Sequence, residues 1–215
     1  MLSEEWGLRL RRNEREQALA EGNLLLAGPG VRTLYVTSCF NGEGKTTSAV
    51  HLAMGLAGRS DKRVLLVDGS TRSPRLHEEF GVRLSPGLTD QVVSGSGVES
   101  IFQETEIPKL TLLAHGASTD RGASLKQLTD LARSEALFSR FDYLIFDGDS
   151  VLSCSHVPLL VQSFDGVLLT VACETTKWEV VQQVRDKIEQ GGGRILGVIL
   201  NRRKFYIPRF FYGRK

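Results

Sequence analysis

The amino-acid sequence predicts an α/β fold, a doubly wound, mainly parallel sheet flanked by helices. Three observations carry this. Short apolar, β-rich runs alternate with helical patterns along the chain. Two of those runs end in a single aspartate, as buried parallel strands do when they deliver a carboxylate at their C-terminal ends. The first run leads through a glycine-bearing loop straight into an amphipathic helix. A length of 215 residues suits one such domain with short appendages. The apolar fraction of 41% and charged fraction of 24% exclude a mostly disordered chain.

Each element follows from its residues. TLYVTS at 33–38 is a β-rich run that stops at the loop, and beyond it Ala49, Leu52, Ala53 and Leu56 recur at helical spacing. Arg63-Val64-Leu65-Leu66-Val67 ends in Asp68, and Tyr143-Leu144-Ile145-Phe146 ends in Asp147. Further strands are expected at 109–114, 166–172 and 195–200, with helices near 124–139 and 176–190, the latter closed by Gly191-Gly192-Gly193. Residues 86–97 read as a turn, a short helix and a turn. The expected organisation is an N-terminal helical segment at 1–30, for oligomer or partner contact, a nucleotide-binding domain at 31–201 and a basic, aromatic tail at 202–215.

Charge is unevenly placed. Six basic residues and no acid occupy the final fourteen positions, and subtracting these six from the net +2 leaves −4 for the rest. That balance argues against nucleic-acid binding by the whole protein and marks the tail as a local feature. No apolar run approaches the roughly 18 residues of a membrane helix, and the start of the chain is charged rather than built like a signal peptide. Cys39, Cys154 and Cys173 are far apart and show no metal-ligand spacing, a sparse set that suits a reducing cytosol.

The segment SCFNGEGKTT at 38–47 carries the chemistry. A phosphate needs inward-facing backbone N–H groups, a helix N-terminus behind them and a cation in front. Asn41, Gly42, Glu43, Gly44, Lys45, Thr46 and Thr47 supply such a loop: the glycines allow close backbone approach, Lys45 reaches the β and γ phosphates, and Thr46 offers a hydroxyl to Mg²⁺. The strict pattern G-x-x-x-x-G-K-[ST] fails at its first glycine, where Cys39 stands. Asp68 and Asp147 are the expected metal-side carboxylates, since parallel strands bring their C-terminal ends to the face that holds the loop. The expected cofactors are therefore ATP or ADP and Mg²⁺, on a P-loop NTPase fold with a deviant Walker A loop.

The collinear series GEGKTT, VLLVDGSTRSP and LIFDGDS resembles the bacterial tyrosine autokinase family, the cytosolic ATP-binding modules of capsule and exopolysaccharide chain-length regulators. Arg75-Leu76-His77, Pro86-Gly87-Leu88, Phe141-Asp142-Tyr143 and Gly197-Val198-Ile199-Leu200-Asn201 extend the likeness over nearly the whole chain. The resemblance implies Lys45, Asp68 and Asp147 as catalytic residues, with Thr46, Asp68 and Asp147 at the metal. It also implies Arg72 in the second Walker-type motif and Asn201 near the adenine. The partner it implies is a membrane-spanning polysaccharide co-polymerase, with homo-oligomer formation and a location at the inner face of the cell membrane, where the basic tail can rest.

Several positions depart from the family pattern. Ser70 stands where the second motif, D-x-D-x-R-x-P, has a carboxylate, and the third reads Asp147-Gly148-Asp149-Ser150 without its prolines and with an added acid. Asp149 is thus a candidate to replace the charge missing at Ser70. His156 occupies a place where the family commonly has an acid. The tail keeps only Tyr206 and Tyr212 as phosphoacceptors, and the N-terminal E-x-x-R-x-x-R motif reads Glu5, Leu8, Arg11. The expected activity is a weak ATPase with little tyrosine phosphorylation. A non-catalytic nucleotide-responsive subunit is the alternative. A positioning-type ATPase is disfavoured because Phe40 replaces that group's lysine.

Overall fold

The computed structural model describes residues 30–59, 62–90, 98–118 and 121–203. The N-terminal helical segment and the tail with Tyr206 and Tyr212 lie outside the described residues, apart from residue 30 and residues 202–203. The strands are β1 (Thr33–Ser38), β2 (Val64–Asp68), β3 (Gln103–Glu104), β4 (Leu110–Leu113), β5 (Tyr143–Asp147), β6 (Gly166–Ala172) and β7 (Ile195–Asn201). They form one sheet in the order β3-β4-β2-β5-β1-β6-β7, parallel throughout except where β3 pairs antiparallel with β4. The helices are α1 (Lys45–Arg59), α2 (Leu76–Phe80), α3 (Arg121–Ala132), α4 (Glu135–Arg140), α5 (Val157–Leu160) and α6 (Trp178–Gln190).

The central strands are apolar on both faces, which only a sheet covered on both sides tolerates. Period-two alternation divides their side chains between two cores. Leu34, Val36, Leu66 and Ile145 pack with Ala49, Ala53 and Leu56 of α1. Tyr35, Leu65, Val67, Leu144 and Phe146 face the other way, toward Leu128, Leu137, Val184 and Ile188 of α3, α4 and α6. There the Phe164 ring bridges Tyr35 and Phe146, with centroids 4.9 and 4.8 Å away. β1 begins under a polar clamp: Asp165 accepts from the backbone N–H groups of Arg32 and Thr33, both at 2.8 Å. The Arg32 guanidinium donates to the carbonyls of Phe138 and Phe141 and lies 4.4 Å above the Phe138 ring.

Two features differ from the sequence expectation. The helix expected over 124–139 is broken near Arg133-Ser134, where backbone bonds from Arg133 to Asp130 and from Ser134 to Leu131 make a tight turn before α4 starts. β3, two polar residues long, adds an antiparallel edge that no apolar run announces. Within 86–97, a 3₁₀ turn at Leu88–Asp90 is described. Among the described residues no helix is long and apolar enough to cross a membrane.

This layering predicts a contrast in stability. Leu66→Ala, at a fully buried central-strand position, should lower the unfolding free energy by about 2–5 kcal/mol in urea titration. Leu200→Ala, at a position 66% exposed on the edge strand β7, should change it by less than about 0.5 kcal/mol. Equal losses at the two positions would contradict the assignment.

Candidate functional site

β1 ends at Ser38, and the chain crosses residues 39–44 before α1 starts at Lys45. The helix opens with the bond from Ser48 N–H to the Gly44 carbonyl at 2.9 Å. Gly44 has φ +95°, and a Cβ there would lie 1.9 Å from Nδ2 of Asn201, so no other residue fits without displacing that side chain. Asn201, at the end of β7, donates from Nδ2 to the Glu43 carbonyl at 2.9 Å and accepts the Arg202 N–H on Oδ1. It braces the loop from behind. Glu43 is buried, and its carboxylate accepts from the backbone N–H of Phe40 (2.8 Å), from that of Ala172 (3.3 Å) and from the Thr176 hydroxyl. Its negative charge is therefore spent tying the loop to the end of β6, leaving its backbone as what it can offer a phosphate.

The sheet sets the two aspartates side by side. Asp68 and Asp147 are partners in register on the adjacent strands β2 and β5, which run about 4.8 Å apart. Their neighbours Val67 and Phe146 face the α3/α4/α6 side, so alternation turns both carboxylates toward α1. Asp68 is fully buried and accepts from Leu76 N–H (3.0 Å) and Ser70 N–H (3.4 Å). Asp147 is 1% exposed and accepts from the Thr46 hydroxyl, while its Oδ1 has no hydrogen-bond partner.

Burial and the neighbouring Asp147 charge push the Asp68 carboxyl up to about 8. Burial likewise pushes Asp147 up to about 6, against the opposing pull of Thr46 and Lys45. Two buried acids that repel each other, one with an orphaned oxygen, beside a helix N-terminus and a threonine hydroxyl, fit a hard oxygen-seeking cation such as Mg²⁺.

Ser70, in the segment after β2, meets the added acid. Its hydroxyl donates to Oδ1 of Asp149 at 3.1 Å, and Thr71 donates to Oδ2 from both its backbone N–H (3.1 Å) and its hydroxyl (2.6 Å). Burial opposes ionisation of Asp149, but His156, Thr71 and Ser70 outweigh it and hold the carboxyl down at about 2. Tyr35, buried beneath, accepts the Asp149 N–H at 3.1 Å.

The other expected site residues are distributed around this core. Asn41 accepts the Ser150 hydroxyl at 2.7 Å, Lys45 and Thr46 are half-buried, and Thr47 is exposed. The exposed Arg72 donates to the Ser153 carbonyl at 2.7 Å, spanning to the loop after β5 rather than to residues 41–47. Thr71, Ser150 and the buried His115, whose Nδ1 lies 3.3 Å from the Asp68 carbonyl, complete the surroundings. Thr71 and Ser150 lie inside the motifs VLLVDGSTRSP and LIFDGDS without being singled out there, and no motif marks His115, which follows β4.

The sign of the carboxyl shifts gives a test. A carboxyl raised on folding favours the native state at low pH and loses that contribution as pH climbs through the folded value. Asp68 and Asp147, raised from 3.8 to about 8 and about 6, thus cost stability as pH rises from 4 to 8, while Asp149, already ionised, is constant there. In buffer free of metal and nucleotide, Asp147→Asn should raise the melting temperature relative to the parent at pH 8 and change it little at pH 4. A variant more destabilised at pH 8 than at pH 4 would contradict the electrostatic assignment.

Comparison with known proteins places this geometry. No family model matches the chain. The tyrosine-protein kinase CpsD of Streptococcus agalactiae serotype III (strain NEM316) is 28% identical over 182 residues, covering 84% of this chain and 78% of the relative. The tyrosine-protein kinase YwqD of Bacillus subtilis (strain 168) is 28% identical over 190 residues, covering 86% and 79%. Among solved structures, the VpsO kinase domain superposes with a TM-score of 0.76 at 30% identity, covering 90% of this chain and 98% of that domain. The septum site-determining protein MinD from Pyrococcus horikoshii, complexed with Mg-ADP, matches at a TM-score of 0.65 and 23% identity, covering 79% and 70%, a likeness of fold. With sequence relatives and a superposing kinase domain spanning most of its length, the chain belongs to the bacterial tyrosine autokinase family, on a P-loop NTPase fold.

Proposed function

We propose that the chain binds ATP with Mg²⁺ and turns it over slowly, as the nucleotide-dependent partner of a membrane-spanning co-polymerase in capsule or exopolysaccharide assembly. The observation that carries this reading is the in-register pair Asp68 and Asp147, buried and facing the N-terminus of α1, where Lys45 and Thr46 stand. The backbone of residues 42–46, the helix dipole and the Lys45 ammonium hold the phosphates. Thr46, Asp147 and Asp68 would hold Mg²⁺, which supplies neutralisation of phosphate charge. Phosphoryl transfer in such sites rests on positioning and electrostatics, and this chain's own residues supply the positioning. Asn201 and Glu43 brace the loop, which is their contribution, whatever part Asn201 takes beside the base.

Slow turnover follows from what is missing. Ser70 cannot offer the charge of a carboxylate. Asp149, pressed against it, has its oxygens engaged by Ser70 and Thr71, and a carboxyl held at about 2 is a weak proton acceptor at neutral pH. The same satisfied Ser70–Asp149 pair favours a second reading, a nucleotide-responsive subunit without turnover. Tyr206 and Tyr212 are the remaining candidate acceptors in the tail, and the tail's basic residues suit an anionic membrane surface. Self-association through the N-terminal segment belongs to the same proposal.

Incubation with γ-labelled ATP and Mg²⁺, alone and with the co-polymerase's cytoplasmic segments, tests the proposal. Slow release of inorganic phosphate is expected, reduced about 100-fold or more in Lys45→Met, with little label on protein. Nucleotide binding without release in either condition supports the second reading. Efficient label transfer to Tyr206 or Tyr212, lost in Lys45→Met, would overturn both.

A further inference from the structure

The loop between β5 and α5 carries a mixed set of ligand side chains that the nucleotide reading leaves without a task. Asp149, Cys154 and His156 bring a carboxylate oxygen, a sulfur and an imidazole nitrogen within 4.8 Å of one another. The cysteines considered alone have no metal-ligand spacing; the relevant pattern is D-x-x-x-x-C-x-H, which mixes residue types. The loop that presents them is fixed. Val151 N–H donates to the Ser38 carbonyl (2.9 Å), Leu152 N–H to the Cys39 carbonyl (3.2 Å), and Cys154 N–H to the Ser150 carbonyl (3.1 Å). Asp149 and Cys154 are almost fully buried, whereas the His156 side chain is 23% exposed and leaves a way in.

The histidine provides the second observation. Its Nε2 is buried and lies 3.3 Å from Oδ2 of Asp149, close enough to help hold that carboxyl ionised but short of a well-formed hydrogen bond. Buried polar atoms are almost always paired. A cation shared by Nε2 and the carboxylate would satisfy both groups. Asp149 has capacity for it: Thr71 donates twice to Oδ2 and Ser70 once to Oδ1, where an ionised carboxylate offers about four acceptor sites, and the Cys154 thiol that also bonds it would give up its proton to a metal. Ser70 and Thr71 then orient the ligand, as outer partners of metal ligands commonly do. Burial and the Asp149 charge raise the Cys154 thiol above its ordinary range, against the pull of Arg72, which bonds both the Cys154 sulfur and, at 2.7 Å, the Ser153 carbonyl; a bound cation would supply the charge that the thiolate needs.

We propose that Asp149, Cys154 and His156 form a binding site for a borderline-soft divalent transition metal, of which zinc is the best match. Thiolate and imidazole select such an ion over Mg²⁺, which demands oxygen ligands. Bonds of about 2.0–2.3 Å place tetrahedral ligands roughly 3.5 Å apart, close to the Asp149–His156 separation of 3.3 Å. Binding is a simple exchange: the Cys154 thiol gives its proton to solvent as the sulfur–metal bond forms, and His156 binds neutral through Nε2 with its proton on Nδ1. A fourth position stays open to water. Because Asp149 and Arg72 also hold the segment after β2, an occupied site would stiffen the region around Ser70.

The test uses the full chain saturated with Mg·ADP, so that the nucleotide site does not compete for the added ion. Titration with Co²⁺ should produce a cobalt–thiolate charge-transfer band that saturates at one equivalent and is bleached by Zn²⁺. Cys154→Ser should abolish the band, and Cys173→Ser should retain it. His156→Ala keeps the thiol and should weaken zinc binding at least about 10-fold in a chelator competition, with the melting curve verifying the fold. The proposal is overturned by the absence of a band in the parent chain, by a band that survives Cys154→Ser, or by unchanged zinc affinity in a folded His156→Ala.

Discussion

The placement of two acids inside the protein governs the architecture of the site. Asp68 and Asp147 end adjacent parallel strands in register, so the sheet that buries their neighbours also buries them side by side, where each charge repels the other. Neither has an arginine or lysine hydrogen-bonded to it in the described residues. Backbone N–H groups of Ser70 and Leu76 orient Asp68, while Asp147 has the Thr46 hydroxyl and one oxygen without a partner. Such a pair is costly unless a cation arrives. The loop at the start of α1 is the place from which it can be delivered together with a phosphate.

Around that pair, the residues divide into those that shape the loop and those that hold the strand ends. Glu43 and Asn201 brace the loop from β6 and β7 and fix the backbone around Gly44, whose conformation and closeness to Asn201 admit no side chain. On the opposite flank, Asp149 gathers Ser70 and Thr71 from β2's connection onto the loop after β5. The added acid therefore does stand beside the serine that replaces a carboxylate. It stands there as an anion held ionised by its donors, and that is a different task from accepting a proton.

Much of this was legible in the sequence because buried parallel strands are continuous apolar runs. Val64–Asp68 and Tyr143–Asp147 announced themselves, and the rule that parallel strand ends converge was enough to bring Asp68, Asp147 and residues 41–47 to one edge. β3 was not legible, since two polar residues carry no period, and neither was the break before α4, which a local turn at Arg133-Ser134 decides. Side-chain direction was the larger gap. Glu43 reads as part of a phosphate loop but turns its carboxylate into the protein, and Arg72 reads as a site residue but reaches Ser153. The Asp149–Cys154–His156 grouping escaped a count of cysteines because its members belong to three residue types.

A cation between the buried carboxylates would displace protons from them, and those protons can be counted. Mg·ADP binding measured calorimetrically at neutral pH, in buffers of different ionisation enthalpy, reports the protons exchanged per nucleotide bound. With Asp68 raised to about 8 and Asp147 to about 6, binding should release protons as the pair ionises around the metal, and the release should shrink in Asp68→Asn. Tight Mg·ADP binding with no proton release, or with uptake, would show that Asp68 and Asp147 do not ionise around a cation.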